Sequence, residues 1–142
     1  MALSAAQAAL ADALRQALSG AVRFDTTSRV LYSTDASNYQ IEPLGVVIPR
    51  TADDVAAAVT ICAQAGAPIL ARGAGSSLSG QAIGRAVILD CSTYLNKIEA
   101  INVEERWVRV QPGVVINSLN TTLRPFGLML GLGRQCGDIM VR

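Results

Sequence analysis

The pattern of apolar and polar positions predicts alternating helices and strands along most of this 142-residue chain. The first apolar run lies in an alanine-rich stretch whose leucines fall near one face of a helix, namely Leu3, Leu10, Leu14 and Leu18. Ser19 and Gly20 then predict the end of that helix. Residues 22–42 are polar and poorly periodic, and they predict a long ordered loop with short helical or extended pieces.

A strand, a helix and a second strand are predicted next. Gly45–Ile48 is a short apolar run of the kind that forms a buried strand. The helix that follows has Thr51 as its N-terminal cap, Asp54 at the capping-box position and Gly66 at its end. Its predicted buried face has the spacing i, i+3, i+4 and i+7 and consists of Val55, Ala58, Val59 and Cys62. Pro68–Ala71 completes a compact βαβ unit with parallel strands.

The rest of the pattern predicts further strands and one more helix. Ala86–Leu89 is another apolar run, and Ile98–Val103 and Trp107–Gln111 alternate as the two strands of a hairpin. Val114–Leu123 predicts a helix that ends at Arg124-Pro125. The predicted fold class is therefore α+β (mixed α/β), in one modest domain.

A glycine- and serine-rich stretch between two of the predicted strands carries the candidate chemistry. Glycine permits positive φ and a close approach of the backbone to a ligand. Successive free N–H groups in such a turn form an anion site, to which serine hydroxyls add donors and arginine adds a fixed charge. The stretch therefore predicts a phosphate-binding loop with the candidate residues Arg72, Gly73, Ala74, Gly75, Ser76, Ser77, Leu78, Gly80 and Gln81.

The two commonest phosphate loops do not fit this stretch. A P-loop requires a lysine and then a hydroxyl residue where this chain has Gln81 and Ala82. The dinucleotide fingerprint requires a third glycine where this chain has Leu78. Both motifs also require a helix directly after the loop, whereas Ile83-Gly84-Arg85 predicts a turn before a strand.

Composition narrows the possible function classes. A net charge of +1 without a basic run argues against nucleic acid as a partner. The chain has no histidine, which excludes a histidine-based triad, a histidine-ligated metal and a histidyl-linked cofactor within it. The three cysteines are far apart and predict free thiols in a reducing compartment rather than a metal site. No apolar run approaches the roughly 18–20 residues of a membrane span, so we expect no transmembrane segment and a cytoplasmic location.

The order of several short segments resembles a known protein family. These segments are Pro49–Thr51, Pro68-Ile69, the loop from Arg72 to Gln81, Ile88–Asp90, Leu95–Ile98 and Val110–Val114. Together they cover about residues 40–130 and are similar to the N-terminal FAD-binding domain of FAD-linked oxidases, of the PCMH or vanillyl-alcohol-oxidase type. Upstream, Asp35–Tyr39 is most similar to the D-lactate and 2-hydroxyacid dehydrogenase branch, which includes long members with a C-terminal iron–sulfur region.

The resemblance implies that the loop binds the pyrophosphate of FAD, mainly through backbone N–H groups and the hydroxyls of Ser76 and Ser77. It also implies that the strand end at Pro49 and the Pro112-Gly113 turn line the adenine or ribose side. In this branch a D-2-hydroxyacid of the D-lactate or glycolate class loses a hydride from its α-carbon to FAD. The catalytic residues for that reaction are unknown in this chain. Since histidine is absent and two cysteines fall in a helix face and at a strand end, we expect non-covalent FAD binding.

The chain also departs from the family pattern. Ala74 and Ser76 stand where the family more often has glycine and threonine, so Ala74 has to keep φ below zero or cost strain of about 1–2 kcal/mol. After Gly127 the family continues to a Thr-x-Gly-Gly segment, which residues 131–142 lack. These residues predict an atypical tail, from a shifted reading frame or a fragment end, in which Cys136 has no role.

The predicted organisation is a helix in residues 1–20, a partial FAD-binding domain in 21–130 and the tail in 131–142. The expected function is FAD binding in a flavin-dependent oxidoreductase, inactive as this fragment and requiring a missing half-domain or partner chain. Full-length relatives are expected to be cytoplasmic or peripheral to the inner membrane. Two alternatives are a nucleotide-binding module without redox activity and an interaction fragment that docks on a partner chain.

Overall fold

The computed structural model describes residues 3–132 and 139–141. The chain forms two compact units, Met1–Leu95 and Asn96–Arg142. Both contain helices and strands, which confirms the predicted mixed α/β class.

The first unit contains three helices and one four-stranded sheet. In chain order its elements are α1 (Ala5–Ala17), β1 (Ala21–Arg23), α2 (Thr26–Leu31), β2 (Gly45–Ile48), α3 (Ala52–Gln64), β3 (Ile69–Arg72) and β4 (Val87–Asp90). The strand order across the sheet is β1-β2-β4-β3. β1 is antiparallel to β2, whereas β2, β4 and β3 are parallel to one another.

The predicted βαβ unit is present, and β4 lies between its two strands. β2 and β3 are parallel, as predicted, but they are not neighbours, because Ile88 of β4 pairs with Val46 on one side and with Leu70 on the other. All four residues of β4 are buried, whereas β3 is only partly buried. The fully buried β4 therefore occupies the centre of the parallel part, and β3 lies at the edge.

The core of the first unit lies on both faces of this sheet. Val47, Val87 and Leu89 point to the face that packs with buried residues of α1 and α3, while Ile88 points to the other face. The residues that α1 and α3 contribute are Leu10, Ala11, Leu14, Ala58 and Cys62. Val59, predicted to be buried, is 46% exposed, because the buried stripe of α3 follows the i+4 spacing of Asp54, Ala58 and Cys62.

Asp54 connects the end of α1 to the start of α3. The Thr51 hydroxyl caps α3 as predicted, accepting from the Asp54 N–H at 3.1 Å. The Asp54 carboxylate accepts from the Arg50 N–H at 2.8 Å and from the Ser19 N–H and hydroxyl, each at 2.9 Å. Burial acts to raise the pKa of Asp54, but these hydrogen bonds outweigh it and hold the pKa below its ordinary value.

Residues 22–42 contain short extended and helical pieces, as predicted. α2 follows the sheet strand β1, and Thr34 and Gln40 form an isolated antiparallel bridge. The buried Arg29 fixes this segment, since its Nε donates to the Pro43 carbonyl at 3.0 Å and its Nη2 pairs with Glu42 at 2.8 Å. A single ion pair of this kind orients the chain more than it stabilises it.

In its described residues the second unit contains two antiparallel pairs of strands, one α-helix and one short 3₁₀ helix. Its elements are β5 (Ile98–Asn102), β6 (Trp107–Val110), α4 (Ile116–Leu123), a short 3₁₀ helix (Arg124–Phe126), β7 (Leu130–Leu132) and β8 (Ile139–Val141). β5 and β6 pair antiparallel, which confirms the predicted hairpin, and β7 pairs antiparallel with β8. Most of the predicted atypical tail, including Cys136, lies outside the described residues.

Candidate functional site

The candidate loop begins at the carboxyl end of β3. Because β2, β3 and β4 are parallel, their carboxyl ends share one edge of the sheet, and this edge is where open α/β sheets bind ligands. Arg72 is the last residue of β3, and residues 73–86 then lead back to the start of β4. The loop therefore joins two adjacent parallel strands without an intervening helix, as the sequence predicted.

The loop backbone offers a run of free donors. Within residues 3–132 and 139–141, the backbone N–H groups from Gly73 through Leu78 make no hydrogen bond. Gly75 and Gly80 have φ of +70° and +80°, in the left-handed region that glycine adopts without strain. Ala74 keeps φ below zero, as predicted, since Arg106 is the only non-glycine residue with positive φ in the described part of the chain. Successive free N–H groups of this kind suit an anionic ligand such as a pyrophosphate.

The two candidate serines have different surroundings. The Ser77 hydroxyl bonds the Gln81 side chain and accepts from the N–H groups of Ser79 at 3.3 Å and Gln81 at 3.0 Å. Ser77 and Gln81 therefore shape the loop from within. The Ser76 side chain is exposed and makes no hydrogen bond within the described residues, so its hydroxyl is available to a ligand. Leu78, which follows Ser77, is 68% exposed.

The Arg72 guanidinium faces backbone carbonyls. Its Nη1 donates to the Thr34 oxygen at 2.9 Å and to the Ala82 oxygen at 3.1 Å, and it lies 3.5 Å from the Tyr32 oxygen. Its Cζ is 5.1 Å from the centroid of the Tyr32 ring, which is cation–π distance. A Cβ atom at Gly75 would lie 2.3 Å from Nη2, so a larger residue there would have to displace the guanidinium.

Residues 32–40, which we call the clasp, lie against the loop. The Ala36 N–H donates to the Gly75 carbonyl at 3.1 Å, and the Asp35 carboxylate accepts from the Ala82 N–H at 3.3 Å and from the Ser37 N–H at 2.9 Å. Hydrogen bonds from Ser37, with a smaller effect of the nearby Arg72 charge, hold the pKa of Asp35 below its ordinary value. Sequence reasoning missed this supporting role, and the Asx turn at Asp35 is its only local signal.

Tyr32 anchors the clasp to the end of β4. Its hydroxyl donates to the Asp90 carboxylate at 2.5 Å, and the other oxygen of that buried carboxylate accepts from the Ser92 N–H and hydroxyl at 2.9 and 2.6 Å. Burial and the Asp90 carboxylate raise the pKa of Tyr32 to about 12. The phenol therefore stays protonated at neutral pH and holds Asp90 as a fixed acceptor.

The remaining candidate residues belong to other segments of the chain. Pro49, at the end of β2, is fully buried, and the adjacent Arg50 places its Cζ 5.2 Å from the centroid of the Tyr94 ring. Pro112 and Gly113 follow β6 in the second unit. Their predicted place beside the adenine or ribose stays a prediction.

Neither a metal centre nor a reactive cysteine is found in the part of the chain that the structure describes. No group of three or more histidine, cysteine, aspartate or glutamate side chains is placed there to hold a metal ion. Cys62 and Cys91 are buried free thiols, and burial raises the pKa of both. No helix in residues 3–132 or 139–141 is both long and apolar enough to cross a membrane.

Comparison with known proteins identifies the family. Residues 43–141 match the family described as FAD binding domain, which is more than half of the chain. The chain belongs to this FAD-binding family. FAD is therefore the cofactor, and the free N–H run of the loop fits its pyrophosphate. The matched segment contains the loop, whereas the clasp lies before it.

Two curated relatives are dehydrogenases of hydroxyacids. A D-2-hydroxyglutarate dehydrogenase of Pseudomonas putida is 40% identical over 121 residues, which cover 82% of this chain and 12% of the relative. A mitochondrial D-lactate dehydrogenase (cytochrome) of Kluyveromyces lactis is 34% identical over 111 residues, which cover 75% of this chain and 19% of the relative. This FAD-binding chain thus spans only a small part of the length of the relatives that it matches.

A solved oxidase shares the fold. 4-Ethylphenol oxidase from Gulosibacter chungangensis superposes with a TM-score of 0.68 at 23% identity, covering 88% of this chain and 26% of the oxidase. At this identity the likeness concerns the fold alone.

Proposed function

We propose that this chain is the FAD-binding portion of a flavin-dependent dehydrogenase that oxidises a D-2-hydroxyacid, of the D-2-hydroxyglutarate or D-lactate class. The observation that carries the proposal is the run of free N–H groups from Gly73 through Leu78, next to the free hydroxyl of Ser76. The substrate class is taken from the names of the relatives at 40% and 34% identity.

In this proposal the loop binds the FAD pyrophosphate without a covalent link. The N–H groups of Gly73 through Leu78 and the Ser76 hydroxyl donate to phosphate oxygens, while Ser77 and Gln81 keep the loop in shape. Bound FAD supplies the acceptor for the hydride that leaves the substrate. The described residues hold the cofactor and contain no assigned proton acceptor, so we expect FAD binding without dehydrogenase activity from this chain alone.

A flavin-binding experiment tests the proposal. The purified chain is titrated with FAD, and separately with riboflavin, which has no phosphate, while flavin fluorescence is followed. We expect saturable FAD binding that is at least about tenfold tighter than riboflavin binding, because each charge-assisted hydrogen bond contributes about 1.5–3 kcal/mol. The same chain should not reduce FAD when D-2-hydroxyglutarate or D-lactate is added.

Competition and a matched variant separate the proposal from its alternatives. ADP carries the same pyrophosphate and should displace FAD; ADP binding as tight as FAD binding would favour a nucleotide-binding module without redox function. Ser79→Ala changes a neighbouring exposed hydroxyl that makes no hydrogen bond within the described residues, and it should leave FAD binding unchanged. Equal affinity for FAD and riboflavin would contradict the loop as the pyrophosphate site. Binding of no flavin at all would support a fragment that needs a partner chain.

A further inference from the structure

The guanidinium of Arg72 is held between the loop and the clasp, and its Nη1 group bonds backbone carbonyls of both. Guanidinium groups carry five N–H donors in a fixed planar fork. In Arg72 the Nη1 group is directed at carbonyl oxygens of the clasp and of Ala82, and the Nη2 side lies against Gly75. The guanidinium therefore lies between Gly75 of the loop on one side and the Tyr32 ring and the Thr34 carbonyl of the clasp on the other.

The clasp and the loop are joined at three places around this guanidinium. Arg72 itself bonds the Thr34 carbonyl, Ala36 donates to the Gly75 carbonyl, and Asp35 accepts from Ala82. Only the Ala36–Gly75 contact is made by backbone groups on both sides, and side-chain replacement cannot remove it. Arg72 and Asp35 are thus the side chains through which the clasp holds the loop.

We infer that Arg72 is a positioning residue, which fixes the FAD loop through the clasp, and not a charge partner of the pyrophosphate. The inference rests on the proposed function of the loop and names how that site is held in shape. Suppose that the loop binds FAD only when the clasp contacts hold it in its present conformation. Loss of these contacts then lowers the apparent FAD affinity in proportion to the fraction of chains that keep that conformation. An electrostatic partner would act instead through charge alone.

Two replacements of Arg72 distinguish these roles. Arg72→Lys keeps the charge and loses the planar fork, whereas Arg72→Gln loses the charge as well. We expect both variants to bind FAD about tenfold more weakly, which corresponds to a competent fraction of roughly one tenth. The matched controls are Arg85→Lys and Arg85→Gln, since Arg85 is exposed in the same loop and makes no contact within the described residues; both should bind FAD as the unaltered chain does. Near-normal affinity in Arg72→Lys, with weak binding only in Arg72→Gln, would overturn the inference.

Amide hydrogen exchange without FAD tests whether Arg72 holds the loop against the clasp, independently of FAD binding. In both Arg72 variants we expect faster exchange of the Ala36 and Ala82 N–H groups and unchanged exchange in the β2–β4 ladder, for example at Ile88. Unchanged exchange at Ala36 would overturn the inference. If the unaltered chain binds no FAD, the proposed function fails while this measurement still decides the role of Arg72.

Asp35→Asn provides a second variant if the Arg72 variants do not fold. It leaves the guanidinium in place and removes the charge that holds the Ala82 N–H. We expect faster exchange at Ala36 and weaker FAD binding. Unaltered exchange and affinity in Asp35→Asn would show that the clasp does not hold the loop.

Discussion

Two turns at the carboxyl edge of the sheet differ in whether their backbone N–H groups bond an anion of the protein itself. In the turn from β2 to α3, the Asp54 carboxylate accepts from the Arg50 N–H and from the N–H and hydroxyl of Ser19. In the loop from β3 to β4, the N–H groups of Gly73 through Leu78 have no partner within the described residues. The β2–α3 turn therefore bonds the Asp54 carboxylate, whereas the N–H groups of the β3–β4 loop are available to an anionic ligand.

The difference indicates that an acidic side chain at a turn favours a structural role, whereas unbonded N–H groups favour a ligand-binding role. The buried Asp54 carboxylate accepts from the Arg50 N–H of the β2–α3 turn and ties this turn to the end of α1, so the anion at that turn is already part of the protein. The glycine loop carries no acidic residue from Gly73 to Gln81, so its N–H groups have no internal anion to bond and are open to water or to the proposed FAD pyrophosphate. Stability and cofactor affinity should therefore respond to different substitutions.

The largest effect is expected from removal of the internal anion. Asp54→Ala leaves three donors without their acceptor, and we expect the free energy of unfolding to fall by about 3 kcal/mol. The measurement is urea unfolding of the chain without FAD. Asp53→Ala is the matched control, because Asp53 is exposed in the same helical turn and should contribute less than about 1 kcal/mol through the helix dipole. Equal losses in both variants would remove the distinction between the two turns.

A smaller loss of stability, together with a loss of binding, is expected from Gly75→Ala. Gly75 has φ of +70°, and its Cβ would lie 2.3 Å from the Arg72 guanidinium, so we expect a loss of about 2 kcal/mol and at least about tenfold weaker FAD binding. Gly73→Ala is the matched control, since a Cβ there meets nothing within 4 Å. Urea unfolding and fluorescence titration with FAD give both quantities. Similar results for the two glycines would contradict the geometry of the loop.

The two serines should separate binding from loop order. Ser76→Ala removes a free hydroxyl, and we expect about fivefold weaker FAD binding with unchanged stability of the chain without FAD. Ser77→Ala removes the acceptor of two loop N–H groups, and we expect faster amide exchange at Gln81 before any FAD is added. Normal FAD affinity in Ser76→Ala would contradict a hydrogen bond between the Ser76 hydroxyl and FAD.

The smallest effect on the free energy of unfolding is expected when the pH is lowered. The pKa of Asp54 lies below its ordinary value of 3.8 in the folded chain, so its contribution to stability is complete above that pH and is lost as the pH falls through the lower folded pKa. Comparison with Asp54→Asn isolates this group, because Asp25 and Asp35, whose pKa values are also lowered, remain in both chains. The difference in free energy of unfolding between the two chains should narrow from pH 6 to pH 3. A constant difference would show that the Asp54 charge is not what stabilises the turn.

The sequence predicted those parts of the fold whose signals are local. α3 was predicted from Thr51 and Gly66, and the structure places the cap on Thr51 and gives Gly66 φ of +63°. The hairpin of β5 and β6 was likewise predicted from alternation in a short segment. The place of β4 between β2 and β3 was not predicted, because strand order depends on pairings between distant segments, and each apolar run alone fits any central position.

The composition of the candidate loop could be predicted, but its internal contacts could not. Glycine and serine content identified the stretch, and Ala74 keeps the predicted negative φ. The contacts of Arg72 with the carbonyls of Tyr32 and Thr34 join residues 40 and 38 positions apart, and no local pattern indicates them. The different surroundings of Ser76 and Ser77 also depend on the turn that the loop adopts, and in the sequence the two hydroxyls are equivalent.

The central position of β4 has a consequence for the order in which the protein is synthesised. β2 and β3 leave the ribosome before β4, yet neither can pair with the other directly, because β4 has to enter between them. A nascent chain that ends before Val87 therefore presents two apolar strand edges without their shared partner. The candidate loop, residues 73–86, is the last segment to emerge before that partner, so the residues proposed to bind FAD also connect β3 to the strand that completes the sheet.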